Sequence, residues 1–274
     1  CLVRASSKHV ERLRSLSCKI REVDYRSEDS VFEAIKDCDI VINNLGLING
    51  SLEALREANI ECVDCVVKAA VRANVRRFIQ MSSVAAILRH GPYGVTKYEG
   101  EKIVRASGLP SIFIQPAYIY GSGDEEKTGL MMRIVKKFPV LPILGGGTYC
   151  IQPIFVEDVV SVVIQSLESP HLGESYVLAG ASQISLRAML ELFAEVQGKR
   201  RAFISIPLKP VQTLIRVLSP LLKFTKIPVK QILELDKHSA FDISKTVRDF
   251  DFHPVPFEEG VKKIFEGKRC SCAG

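Results

Sequence analysis

RFIQMSSVAAILRHGPYGVTKYEGEKIVRASGLPSIFIQP, residues Arg77–Pro116, is the stretch from which the fold can be read. It opens on an apolar run, Arg77–Ser82. It passes through a helical pattern, Tyr93–Ala106, and closes on a second apolar run, Ser111–Gln115. Runs without polar alternation mark strands buried on both faces. Two such strands joined by a helix make the repeating unit of a parallel sheet with helices packed against it. The same alternation extends upstream. Leu2–Val3 and Lys19–Val23 read as strands, Val10–Leu16 and Ser30–Lys36 as helices. Asp39–Leu45 (DIVINNL) reads as a buried strand and Ser51–Ala73 as one long helix. After Pro116 the pattern loosens. Gly121–Gly123 and Gly145–Gly147 mark turns, Val156–Glu168 and Leu186–Val196 look helical, and Ile206–Leu235 is apolar and punctuated by prolines. The expected architecture is α/β, a doubly wound parallel sheet with a small mixed C-terminal lobe partly interleaved with it.

The 274 residues are 47% apolar and 25% charged, which excludes disordered, collagenous and heptad-rod classes. No apolar run approaches the ~18–20 residues of a membrane span. Eight cysteines without an even framework point to a reducing cytosol, so a cytoplasmic location is expected. Cys62-x-x-Cys65 falls in a helical stretch. The other close pair, Cys270-x-Cys272, lies in the terminal tail, so packing is the preferred reading and no metal site is expected.

The net charge of +6 is unevenly spread. Val196–Leu233 holds Lys199, Arg200, Arg201, Lys209, Arg216, Lys223, Lys226 and Lys230, and no Asp or Glu, so the rest of the chain is slightly acidic. A basic, apolar segment suits an anionic membrane surface or a membrane-bound complex. A core-facing helix pair, or a lid over an anionic substrate, is the alternative. Aromatic residues spaced for base stacking are lacking, so nucleic acid is not an expected partner.

Tyr93 and Lys97 are spaced to share one helix face. A free phenol, with a pKa of ~10, is a poor base at neutral pH. A neighbouring ammonium and a helix N-terminus favour phenolate, which allows proton exchange with an alcohol or carbonyl. Met81-Ser82-Ser83 ends an apolar strand just upstream, at the edge where parallel-sheet ligands bind. A serine hydroxyl there can hydrogen-bond the reacting oxygen. His90, in the intervening loop, is a further candidate for touching substrate.

Together these landmarks resemble the short-chain dehydrogenase/reductase superfamily, in its extended or atypical, NAD-dependent epimerase/dehydratase-like branch. They run in order as LVR (Leu2–Arg4), VDYRSEDS (Val23–Ser30), VINNLG (Val41–Gly46), EANIECV (Glu57–Val63), RRFIQMSS (Arg76–Ser83), PYGVTKYEGE (Pro92–Glu101), IQPAYIYGSGD (Ile114–Asp124) and IQPIFVEDVV (Ile151–Val160). The chain looks most like proteins similar to the nucleotide-binding accessory subunit of respiratory complex I, which share a PVLP-then-GGG hairpin, here Pro139–Gly147. The resemblance implies a Rossmann domain binding NAD(P) over residues 1–120 and a substrate lobe over 121–274. It implies Ser83 orienting the substrate oxygen, Tyr93 as acid/base, and Lys97 lowering the tyrosine pKa and holding the nicotinamide ribose. Asp24 would lie near adenine. Asn43, Leu45 and Gly46 would line the adenosine ribose side, Asn59 would stand beside the site on the central helix, and Pro116 and Ala117 would face the nicotinamide. Arg4 occupies the position where an acid would bind the ribose of NAD, so NADP is expected over NAD.

The implied function is hydride transfer on a small-molecule substrate, by oxidoreduction or epimerisation. The alternative is a non-catalytic NAD(P)-binding structural or regulatory protein, peripheral at a membrane complex through 196–233. Two departures bear on this. The first glycine is Gly46, so the family's glycine-rich phosphate loop is not in this sequence. About 30 residues of strand, turn and helix are expected upstream of Cys1, and an open slot is expected where the central strand belongs. The loop from Ser83 to Tyr93 is also short, and Gln115 replaces an arginine before Pro116, so the substrate pocket should differ from that of sugar-nucleotide epimerases.

Overall fold

The computed structural model describes residues 1–4, 10–14, 18–124, 128–213, 215 and 240–271. The chain divides into two units. The first comprises Cys1–Pro116, Ser161–Leu178 and Arg248–Phe250; the second comprises Ala117–Val160, Ala179–Val247 and Asp251–Gly274.

In the first unit, β3 (Ile40–Asn43), β4 (Arg77–Met81), β5 (Ser111–Pro116) and β10 (Ser175–Leu178) form a parallel sheet in the order β10-β5-β4-β3. Every residue of β5 and all but the last of β4 is buried, as strands covered on both faces require, their polar side chains included. Helix α2 (Glu28–Ile35) precedes β3, α4 (Cys62–Arg72) lies between β3 and β4, and α6 (Gly91–Ala106) between β4 and β5. Val31 and Ile35 of α2 pack with Val63, Val66 and Val67 of α4 into the core shared with Phe78, Val104 and Phe113. Ser27 caps α2 by accepting from the Ser30 amide. The expected helix Ser51–Ala73 is broken by a π-turn at Glu57–Glu61, between α3 (Leu52–Arg56) and α4.

The pair β1 (Leu2–Val3) and β2 (Arg21–Glu22) is parallel but forms a separate sheet. Between it and β3 lies a cavity of about 270 Å³, lined by Leu2, Tyr25, Ile35, Val41, Ile42 and Asn43 among others. Strands β1 and β3 are not paired with each other. Ile42 of β3 is 46% exposed beside it, although the rest of the sheet is covered.

The second unit is built around Tyr120, Met132, Val135, Leu141, Phe155, Met189, Phe193 and Phe257. Helix α7 (Thr128–Lys137) leads into β7 (Val140–Leu144), and α9 (Leu186–Val196) leads into β12 (Ala202–Ile206). The PVLP-then-GGG stretch is not a hairpin. Residues Val140–Leu144 pair in parallel with β12, and Gly145–Gly147 form a 3-10 turn rather than returning the chain antiparallel. All three of those glycines have positive φ, which is why larger residues are absent there. Of the basic segment Val196–Leu233, residue 214 and residues 216–233 lie outside the described residues.

Candidate active site

Strand β4 ends at Met81, and two serines follow. Ser83 is extended and caps α5 (Val84–Leu88), its Oγ accepting from the Ala85 amide at 3.2 Å. Arg89, left-handed at φ 48°, closes α5; Gly91, at φ 62°, opens α6, with Pro92 in its first turn. The reversal is tight because Gly94 lacks a side chain. A Cβ there would stand 2.3 Å from the Ala85 carbonyl oxygen, so α5 and α6 meet backbone to backbone. This brings Tyr93 back onto Ser83, and the two side chains hydrogen-bond.

One turn further along α6, Lys97 is buried. Its ammonium donates to the Met81 carbonyl at 2.8 Å and the Leu45 carbonyl at 3.3 Å, at the C-terminal ends of β4 and β3. Burial lowers its pKa to about 8, against the opposing pull of the Glu101 carboxylate. Tyr93 departs from expectation. Its phenol is pushed above the ordinary value, because burial outweighs the Ser83 hydrogen bond, and the lysine makes no resolved contribution. The ammonium is committed to main-chain carbonyls instead.

Asn43 and Asn59 are held by protein groups. Asn43 Nδ2 donates to Gln80 at 2.9 Å, and its Oδ1 accepts from the Leu45 amide at 3.2 Å. Asn59, inside the π-turn, accepts from the Leu47 amide at 2.9 Å and donates to the Leu47 carbonyl and to Thr96 Oγ1, both at 3.0 Å. It braces the 45–47 loop against α6 rather than presenting a free amide to a ligand. Gly46 sits over this brace; a Cβ there would come 3.2 Å from Asn59 Oδ1 and 3.4 Å from Lys97 Nζ. Pro116 is the buried last residue of β5, and Ala117 opens the second unit.

Two further cavities lie on this side of the first unit. One of about 560 Å³ is lined by Arg4, Asp24, Arg26, Glu57 and Cys62; the other, of about 330 Å³, by Arg4, Arg26, Asn44, Leu45, Gly46 and Ala58 among others. Arg26 forms an ion pair with Glu57. Asp24 accepts from the Arg26 amide at 3.0 Å. An open concavity with arginines at one end, and a glycine above a buried ammonium at the other, fits the two ends of a dinucleotide. The first glycine of the sequence is Gly46, so no glycine turn precedes it among the described residues to hold the phosphates.

Sequence reasoning missed several residues. Ser82 is buried with no partner for its hydroxyl, and nothing in the sequence separates it from Ser83. Thr96 receives the Asn59 amide, and Glu101 accepts from Gln115 Nε2 at 2.9 Å. Glu101 was legible as the next residue down the Lys97 face. Among the described residues no cluster of three His, Cys, Asp or Glu could hold a metal, and no helix is long and apolar enough to cross a membrane.

Residues 2–179 match the NAD dependent epimerase/dehydratase family. The chain is 24% identical over 254 residues to NADH dehydrogenase [ubiquinone] 1 alpha subcomplex subunit 9, mitochondrial, of Arabidopsis thaliana, covering 89% of this chain and 62% of that protein. It is 32% identical over 162 residues to a ceramide reductase of Caulobacter vibrioides, covering 58% of this chain and 50% of the relative. The chain thus spans less than two thirds of the length of these relatives. UDP-glucuronic acid 4-epimerase from Bacillus cereus, crystallised with NAD, superposes with a TM-score of 0.73 at 17% identity, covering 94% of this chain and 85% of that one. At that identity the likeness shows the fold alone.

Proposed function

The chain belongs to the NAD dependent epimerase/dehydratase family, and from that premise we propose that it acts on a small-molecule substrate by NADP(H)-dependent oxidoreduction or epimerisation. The observation that carries the proposal is the joined group at the end of β4: Tyr93 hydrogen-bonded to Ser83, with Lys97 buried beneath the Gly46 turn. A bound nicotinamide would supply hydride acceptance or donation.

The chain's own residues do the rest. The Ser83 hydroxyl orients the substrate oxygen. The Tyr93 phenol accepts the alcohol proton or returns it to a carbonyl. Lys97 is held where its charge stabilises a phenolate once an anionic or polar ligand draws the ammonium from its carbonyls. Pro116 and Ala117 border the nicotinamide. Arg4, exposed at the cavity rim, is the proposed partner of a 2′-phosphate, and Asp24 lies toward adenine. Asn43, Leu45 and Gly46 form the ribose side, and Asn59 supports them from behind.

Replacing Tyr93 with Phe tests the mechanism. Loss of turnover by about 10²–10⁴-fold with cofactor binding retained is expected of a general acid/base. Turnover unchanged across carbonyl and sugar-nucleotide substrates would favour the second reading, a non-catalytic nucleotide-binding protein of a membrane complex. The raised phenol pKa and the likeness to a complex I subunit support that reading. Titration with both cofactors tests Arg4; tighter binding of NAD than of NADP overturns its role. We also propose peripheral association with a membrane or membrane complex through Val196–Leu233, from its uniform positive charge.

A further inference from the structure

The pairing of β7 with β12 is unusual in what it leaves open. Parallel strands are nearly always covered on both faces. Here the inner face is buried, with Leu141 and Ile143 at 5% and 3% exposure, while Val140 is 44% and Ile204 58% exposed. The register pairs Val140 with Ala202 and Pro142 with Ile204, and these four exposed residues share the outer face, while on β12 Ser205 is exposed as well. A second exposed apolar stripe runs along α7. Leu130, Ile134 and Phe138 recur at helical spacing, at 46%, 37% and 46% exposure. The two surfaces are joined where Arg201 donates to the Val135 and Lys136 carbonyls at 2.6 and 2.8 Å and Ala202 to the Pro139 carbonyl at 3.0 Å.

The surroundings of this junction are basic. Lys136 and Lys137 end α7, and Lys199 and Arg200 precede β12; all four are exposed. The sequence has no Asp or Glu between Glu126 and Glu157, nor between Glu195 and Glu234. Acids border it as well: Asp124 accepts from the Thr128 amide at the start of α7 at 3.0 Å, and Glu191, paired with Arg187 at 2.8 Å, lines a surface concavity with Glu195, Lys199 and Arg200. Contiguous exposed apolar surface with a charged rim marks an interaction site. The exposed side chains of the ribbon's outer face are aliphatic, and on α7 the apolar stripe is flanked by exposed Arg133 and Lys137. The rim is of long lysine and arginine stems that can lie along an apolar layer while their charges stay in water.

We propose that the outer face of the β7–β12 ribbon, with the exposed stripe of α7, seats on an anionic lipid surface. The apolar side chains enter the headgroup boundary while Lys136, Lys137, Lys199 and Arg200 meet lipid phosphates. The inference rests on the peripheral association proposed above, and uses no residue of the candidate active site.

The test is co-sedimentation of the full chain with vesicles of phosphatidylcholine, with and without phosphatidylserine, at low and high salt. Binding is expected only to the serine-containing vesicles, and is expected to fall at high salt. The double variant K136Q/K137Q should bind about thirtyfold more weakly, from ~1 kcal/mol per basic residue near an anionic surface. Phe138→Ser should weaken binding while leaving the circular dichroism spectrum unchanged. Failure to bind at low salt overturns both this inference and the association. Binding that survives both variants keeps the association and removes this face from it. A concentration-dependent dimer that Phe138→Ser abolishes without lipid would assign the face to a second copy of the chain, and overturns the lipid occupant.

Discussion

Substituting Gly100 with Ala should destabilise the protein, against the usual direction for a glycine inside a helix. In an unconstrained helix interior the change gains about 1 kcal/mol. Gly100 is not unconstrained. It is buried in α6, and a Cβ there would lie 2.4 Å from the Asn59 carbonyl oxygen. That neighbour is backbone, fixed in the π-turn by the three hydrogen bonds of its own side chain. Relief therefore requires α6 to move off the turn by about 1 Å, judged against ordinary carbon–oxygen separations of ~3.3–3.6 Å. Such overpacking costs typically 1–3 kcal/mol in a flexible core and more against rigid backbone. Setting the helix gain against it leaves a net loss of about 1–2 kcal/mol. Urea unfolding followed by far-ultraviolet circular dichroism reads this as a midpoint lowered by about 0.5–1 M, with an unchanged slope. The same shift of α6 lengthens the Asn59–Thr96 bond and draws Lys97 from the Leu45 carbonyl, so cofactor affinity should fall as well. A raised midpoint would refute the reasoning, because it would mean that the two backbones do not meet at this point.

Three other outcomes follow from the same site. Lys97 has a folded-state pKa of about 8 against an ordinary 10.5, so its charged form is penalised in the fold. That penalty, ~3 kcal/mol in magnitude, is full below pH 8 and is relieved as pH rises through it. Stability of the wild type relative to Lys97→Met should therefore increase between about pH 8 and 10.5, and a flat difference from chemical denaturation would contradict it. Asn59→Ala leaves the Leu47 amide and carbonyl without their partner, while the Thr96 hydroxyl keeps its bond to the Tyr93 carbonyl, and should cost about 2–4 kcal/mol at ~1–3 kcal/mol per stranded group. A midpoint within error of wild type would show that the 45–47 loop is held some other way. Ser83→Ala removes the α5 cap and should lower stability by ~1 kcal/mol while also abolishing turnover; loss of stability with turnover intact would leave Ser83 as a cap alone.

Strands β4 and β5 were legible because their apolar residues do not alternate with polar ones. RFIQM and SIFIQP admit no amphipathic reading, and burial of both faces needs a helix on each. What failed to show was whatever depends on distant residues. The SYVL run of β10 alternates, is short, and joins the sheet only by pairing with β5, some 60 positions upstream. The π-turn at Glu57–Glu61 breaks a segment whose residues are ordinary helix formers; it is held open by Asn59 reaching Leu47 and Thr96, which local propensity cannot encode. The parallel partner of β7 lies beyond α9, so a strand followed by glycines looked like a hairpin. In the site, the spacing of Tyr93 and Lys97 and the position of Ser83 were readable, being local. The balance between burial and charge at Tyr93 was not, because it is set by what the fold places around the phenol.

The slot between β1 and β3 bears on how the protein behaves in concentrated solution. Each bordering strand pairs on one side only among the described residues, which leaves the other edge of each without a strand partner. An extended chain entering there would pair with both edges at once and cover the exposed Ile42. In a concentrated solution of this chain, the extended segments on hand belong to other copies of it. The feature therefore sets a ceiling on solubility: turbidity should rise steeply with protein concentration, and a charged residue in place of Ile42 should lift that ceiling without touching the chemistry at Tyr93.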